Sequence, residues 1–191
     1  MAYFTEAEIK DRLQKEIDTR NFSAAQILNE SRRVQDSQDS FDIFLSHSSK
    51  DNDLIIGLKL ILQDIGYSVY VDWNDPALDP DHVTPKTAEV LRKRMSQCKS
   101  LIYAFSVNAS NSKWMPWELG YFDALRNSRV AVLPIRNDAY KAFIGSEFIG
   151  LYFQVKVADT RGGQKAIWVH NGDDYVNYMY WLSGKQPYKH Q

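Results

Sequence analysis

A single cysteine, Cys98, is all the thiol chemistry the chain carries. No internal disulfide is possible, and a reducing compartment is the natural setting. The four histidines, His47, His82, His170 and His190, lie scattered without HExxH or CxxC company, so no metal centre is expected. No apolar run is long enough to cross a bilayer; the longest, residues 54–62, is interrupted by Gly57 and Lys59. The N-terminal stretch MAYFTEAEIKDRLQKEIDTR is strongly charged and lacks the apolar core of a signal peptide. Excess charge is missing too: 23 Lys and Arg against 24 Asp and Glu leave a net −1, which argues against coating nucleic acid or anionic membrane. These absences predict a soluble, cytoplasmic protein with neither nucleic acid nor membrane as partner. Glycine-rich GxGxxG and GxxxxGK[ST] cradles are absent, as is the GxSxG elbow of many hydrolases.

What remains is a globular composition, 44% hydrophobic and 25% charged over 191 residues, enough for one sizeable core and an appendage. Residues 1–39 read as a helical N-terminal extension and hinge. Thr5 and Glu8 have capping-box spacing, and Ile9, Leu13 and Ile17 recur every four residues within a helical stretch over 5–35. From Phe41 the pattern alternates. FDIFLS (41–46) has the nearly continuous apolar form of a strand buried on both faces, and helical spacing follows from Leu54 to Ile65. YSVYVDW (67–73), SLIYAF (100–105) and RVAVLPI (129–135) read as further strands, with helices over 86–97 and 114–126 between them. Residues 74–85, with three prolines and three aspartates, form a long loop of the kind that is more often functional than idle. Toward the end, 148–157 and 166–170 look like strands and 173–182 like a helix, before a tail over 184–191.

Strands alternating with helices imply a parallel sheet, and such sheets bind ligands beyond their strand carboxyl ends. That rule selects Ser46–Lys50, Asp72–Asn74, Ser106–Asn108 and the segment that follows Ile135. The densest constellation is SKWMPWEL (112–119), where Trp114 and Glu118 are four apart and share a helix face. An aromatic wall beside a carboxylate suits a planar ring attached to a sugar. A helix start here would favour the ionised form of Glu118, whose reference pKa is about 4.3. Spacing alone favours a blander account: Pro116 at the first helical position, Glu118 complementing the helix dipole, and both tryptophans in the core.

FDIFLSHSSKD (41–51), GYSVYVDWNDP (66–76) and SKWMPWEL (112–119), in this order and spacing, resemble the signature segments of the Toll/interleukin-1 receptor (TIR) domain over residues 40–183. Together with the strand–helix alternation, the resemblance implies an α/β fold: a flavodoxin-like, doubly wound parallel sheet of five strands in order 2-1-3-4-5. The WxxxE pattern is similar to that of the NAD-cleaving branch, which implies Glu118 as the catalytic residue and Ser46, His47, Asp72, Trp73 and Trp114 as substrate-binding. NAD is then a substrate, and no cofactor or metal is implied. One carboxylate suffices because nicotinamide leaves as a neutral ring and needs no general acid, unlike the alkoxide of a glycoside. The alternative is a non-catalytic adaptor acting through homotypic contacts, a class that needs no glutamate at position 118. The resemblance further implies self-association through the BB loop, residues 74–85, whose Asp75, Asp79 and Asp81 could face Arg92–Arg94 of a neighbour. A compact single-TIR chain is similar to bacterial antiphage proteins of the Thoeris type, whose ADP-ribose or cyclic ADP-ribose product is read by a separate effector.

Overall fold

The computed structural model describes residues 1–73, 84–125, 129–137 and 147–189. The chain opens with β1 (Phe4–Thr5), α1 (Glu6–Arg20) and α2 (Ala24–Asp36). The Thr5–Glu8 capping box is present and starts α1 as its spacing predicts. The single helix predicted over 5–35 is instead two. Asn21 adopts the left-handed conformation (φ 53°) and ends α1, and a second capping box, Ser23 with Gln26, starts α2. Both helices pack on the domain they precede. Ile9, Leu13 and Ile27 are buried in the main core, where α1 lies against α3 (Asn52–Asp64). The helices approach so closely that a Cβ on Gly57 would stand 2.3 Å from the Ile9 carbonyl oxygen. Arg12 ties the pair at the surface, reaching Asp64 at 2.6 Å.

Next come β2 (Phe41–Ser46), β3 (Val69–Val71), α4 (Pro85–Ser96), β4 (Cys98–Phe105), α5 (Trp114–Leu125), β5 (Val130–Arg136) and β6 (Phe153–Asp159). The sheet order β3-β2-β4-β5-β6 is parallel throughout, which is 2-1-3-4-5 when strands are counted from β2. Side chains alternate between two cores, as the pleat requires. Ile102, Ala104, Leu133 and Ile135 face α3, whereas Leu101, Tyr103, Val130 and Val132 pack with Leu91 of α4 and Phe122 of α5. β1 joins the same sheet, pairing Phe4 with Ile135 and Thr5 with Arg136, and Ala2 exchanges two backbone hydrogen bonds with Val157 of β6.

Beyond β6 the sheet turns antiparallel through β7 (Lys165–Asn171), β8 (Asp174–Asn177) and β9 (Tyr188–Lys189). The helix predicted over 173–182 is therefore a strand followed by a short helix, α6 (Tyr178–Leu182), capped by Asn177. Gly172, at φ 62°, supplies the positive dihedral that a two-residue hairpin turn asks of its first central position. Once that turn forms, Tyr175 and Val176 gain ladder partners on β7, and pairing outweighs their helical spacing. The region predicted as strand over 148–157 begins as a 3₁₀ turn, Glu147–Leu151, and becomes β6 only at Phe153. The predicted BB loop lies outside the described residues except for Thr84 and Pro85, which cap and begin α4.

Candidate active site

At the carboxyl ends of β2 and β3, a cavity of about 190 Å³ opens against the start of α5. Ser46, His47, Asp72, Trp114 and Glu118 all line it, so the structure brings together five of the six predicted residues. Trp73 is the exception. It is only 5% exposed, belongs to the core under α3, and meets the His47 ring edge-on at 5.7 Å. It buttresses a wall of the cavity from behind instead of facing a ligand.

Glu118 sits at the bottom. α5 starts at Trp114, two residues earlier than the blander reading placed it, so Pro116 is the third helical residue and Glu118 the fifth. That removes Glu118 from the first turn, where the helix dipole acts. Its carboxyl is buried, and Ser46 Oγ donates to Oε2 at 2.5 Å. Burial, and then the charge of Asp72, push its pKa up to about 8, against a partial offset from the Ser46 hydrogen bond. The ionised carboxylate expected from the sequence is thus corrected: with its pKa raised to about 8, Glu118 holds its proton at neutral pH. Desolvation and a neighbouring carboxylate outweigh a helix end that is a turn away.

His47 is neutral. Loss of water contact pushes its imidazole down to about 4. Nδ1 lies 3.3 Å from the Leu45 carbonyl, which accepts from it and leaves Nε2 as an acceptor. Behind the loop, buried Asp51 joins the two strand-end segments: Ser106 Oγ donates to one carboxylate oxygen at 2.5 Å and Asn108 Nδ2 to the other at 2.6 Å. The wall after β2 and the wall after β4 are therefore fastened through one side chain.

Sequence reasoning selected the right segments but passed over several residues in them. Ser48, Ser49, Lys50, Asn111, Ser112 and Lys113 also line the cavity. The strand-end rule was the signal available for Ser48, Ser49 and Lys50, and the dense 112–119 run for Ser112 and Lys113; Asn111 lies one residue ahead of that run. Leu91, a lining residue from α4, carried only the signature of a core position. Arg92, read as part of a solvated face, lies over the rings of Trp117 at 5.6 Å and Tyr121 at 5.9 Å. Among the described residues, no three metal-ligating side chains gather, and no helix is long and apolar enough to cross a membrane.

A parallel sheet in this order, with an acid and an aromatic on the helix that closes its strand-end cavity, defines the TIR class of α/β domain. Residues 43–164 match the family described as TIR domain, and the chain belongs to that family. It is 41% identical over 191 aligned residues to the "Probable 3' cyclic ADP-D-ribose synthase ThsB'" of Bacillus cereus (strain MSX-D12), covering 95% of this chain and 98% of that protein. It is also 33% identical over 94 residues to the "Putative cyclic ADP-D-ribose synthase TIR2" of Cytobacillus dafuensis, which covers 48% of this chain and 24% of that protein.

Proposed function

We propose that this protein cleaves the nicotinamide–ribose bond of NAD, with Glu118 as the catalytic residue, and closes the ADP-ribose fragment into a cyclic product. The observation that carries the reading is Glu118 itself, a buried acid at the bottom of a strand-end cavity, one helical turn from Trp114. An adaptor working through surface contacts has no use for such a group, whose burial works against stability. The names of both relatives favour a cyclic product over linear ADP-ribose.

The described cavity is below the usual range of about 300–1,000 Å³ for a whole small-molecule site. It therefore takes the nicotinamide–ribose end of the dinucleotide, while Lys50 and Lys113 at its lining meet the diphosphate. Trp114 offers a face to the pyridinium ring. The positive charge of that ring lowers the proton affinity of Glu118, which ionises as substrate binds. Heterolysis sends the bond's electron pair to the ring nitrogen, so nicotinamide leaves neutral. Positive charge appears on the ribose C1′, where the Glu118 carboxylate stabilises it. A hydroxyl of the same molecule then attacks C1′ and passes its proton to the Glu118 carboxylate, which yields the cyclic isomer; attack by water, with the same proton transfer, yields ADP-ribose.

Self-association through the BB loop completes the site between neighbouring copies, in a head-to-tail contact that propagates instead of closing. Its salt sensitivity follows from the acidic composition of that segment and the basic residues of α4, because charges in water are screened beyond about 8 Å at physiological salt. The product serves as a messenger in bacterial antiphage defence, made in the cytoplasm and read by a separate effector. The test is chromatography of NAD incubated with the purified, concentrated protein. Nicotinamide release in wild type and its loss in Glu118→Gln and Glu118→Ala support the reading. Equal release by all three rejects Glu118. Activity per molecule that stays flat over hundredfold dilution rejects assembly.

A further inference from the structure

Outside the cavity lining, near the end of α2, Gln35 is buried against the outer edge of the sheet. Among the described residues β3 is the terminal strand on that side, with β2 as its one ladder partner. A terminal strand leaves backbone donors and acceptors turned outward, where the next strand would meet them. Here the Gln35 carboxamide takes that place. Val71 N–H donates to its Oε1 at 3.1 Å, and its Nε2 donates back to the Val71 carbonyl at 2.9 Å. Lys59 of α3 fixes which way the amide is turned, because its ammonium donates to the same Oε1 and also to Ser31 of α2, each at 2.5 Å.

Val71 is where β3 ends, and its carbonyl has a second duty. Trp73 N–H donates to it at 3.0 Å, closing a three-residue turn with Asp72 at its centre. One carbonyl therefore carries both the turn that presents Asp72 to the cavity and the bond from Gln35. Such a turn has few ways to move when its closing acceptor is also pinned from the opposite side.

We propose that Gln35 is a positioning residue of the cleavage site: its side-chain amide, clamped on Val71, fixes the turn that aims Asp72 at Glu118. This rests on the reading of Glu118 given above. The requirement is for an amide, since Val71 offers one donor and one acceptor, and among side chains of this length only glutamine answers both. Residues 24–36 lie outside the 43–164 stretch that matches the family, so the N-terminal helices act on the site of this chain from beyond the matched domain. Glu118 is faced by Asp72 from the end of β3, Tyr103 from β4, His47 and Lys50 from the loop after β2, and Lys113 ahead of α5.

The experiment compares wild type, Gln35→Met and Gln35→Glu, in the full chain, by nicotinamide release across pH 5.5–9.5 and by amide hydrogen exchange at Trp73. In Gln35→Met the plateau kcat is expected to fall on the order of tenfold or more. The pH limb set by Glu118 moves down by about one unit, because Asp72 no longer holds its charge nearby. Gln35→Glu keeps the length and a partner for Lys59 but loses the donor to Val71, so it folds even where Met fails and moves the limb the same way. A variant destabilised without being mispositioned loses amplitude but keeps the limb. Burial also brings Lys59 down to about 7, so Lys59→Met is the control: a limb that vanishes there belongs to Lys59 and overturns the assignment. Wild-type kcat and limb in both Gln35 variants overturn it as well. If wild type itself shows no Glu118-dependent release, the cleavage reading has failed, and exchange then decides the positioning alone. Faster exchange at Trp73 in Gln35→Met upholds it, and unchanged protection refutes it.

Discussion

Glu118→Gln is expected to stabilise the protein, and by more as the pH rises. In the unfolded chain the Glu118 carboxyl ionises above its ordinary 4.5, whereas in the folded protein it holds its proton to about 8. Between those values the folded state binds more protons than the unfolded one, so wild-type stability falls as pH rises through the window and stays low above it. At about 1.4 kcal/mol for each tenfold difference in proton affinity, the ceiling on this cost is about 5 kcal/mol at pH 9 and about 1 kcal/mol at pH 5. Relaxation and water entry reduce such costs in real interiors, so a gain of about 2 kcal/mol at pH 9 is the working figure. For a chain of this length that is a rise in melting temperature of about 4–8 °C. Glutamine preserves the volume and an acceptor for Ser46 Oγ, so the exchange removes the ionisation and little else. Thermal or urea unfolding of both proteins at pH 5, 7 and 9 makes the measurement, with the titrations of His47 and His170 common to the pair. A variant less stable than wild type at pH 9, or a gap that does not widen from pH 5 to pH 9, refutes the protonation state assigned to Glu118.

The same protonation state sets the kinetics: kcat/KM for NAD is expected to rise with pH through about 8, the value of the free enzyme, while the limb in kcat lies lower because bound pyridinium has already displaced the proton. A flat kcat/KM between pH 6 and 9 counts against an ionised Glu118 as the working form. Asp51→Ala leaves Ser106 and Asn108 without their shared acceptor and is expected to cost about 1–3 kcal/mol in urea unfolding, with a drop in kcat on the order of tenfold as the two walls part. Unaltered kinetics in a destabilised Asp51→Ala protein would show that the clasp serves stability alone. Gly57→Ala drives a methyl into the Ile9 carbonyl and is expected to lower stability by about 1–3 kcal/mol, read as an earlier urea midpoint with little change in KM.

The parts of this fold that could be read in advance are those whose burial is symmetrical. FDIFLS is apolar on both faces because β2 is covered on both, and that run alone gave the strand its boundaries. Where an element is decided by a turn or a ladder and not by its own periodicity, local pattern misled. Tyr175 and Val176 have helical spacing but lie in a strand because β7 is there to pair with, and Asn21 breaks a pattern that its neighbours would continue. The site divides in the same way. The WxxxE spacing located Glu118 and Trp114, since both belong to one helix. The proton on Glu118 was not legible, because it comes from burial and the charge of Asp72, acting against the Ser46 hydrogen bond, and the fold assembles these from β2, β3 and α5. Trp73 was placed in the site by the family resemblance, yet two residues beyond a buried strand its ring turned to the core.

The attachment of β1 to β5 and β6 sets an order of events for a chain emerging from the ribosome. Phe4 and Thr5 have no ladder partner until Ile135 and Arg136 have been made, and Ala2 waits longer still for Val157. Closing such distant pairs carries a loop-entropy cost that nearer contacts do not. α1 can dock earlier, because Gly57 and the rest of α3 follow it closely in the chain. The N-terminus thus folds in two instalments, its helix on the nascent core and its strand only on the finished sheet. A polypeptide stalled before β5 would carry an unsealed edge bearing Phe4, the point from which premature association between unfinished copies would begin.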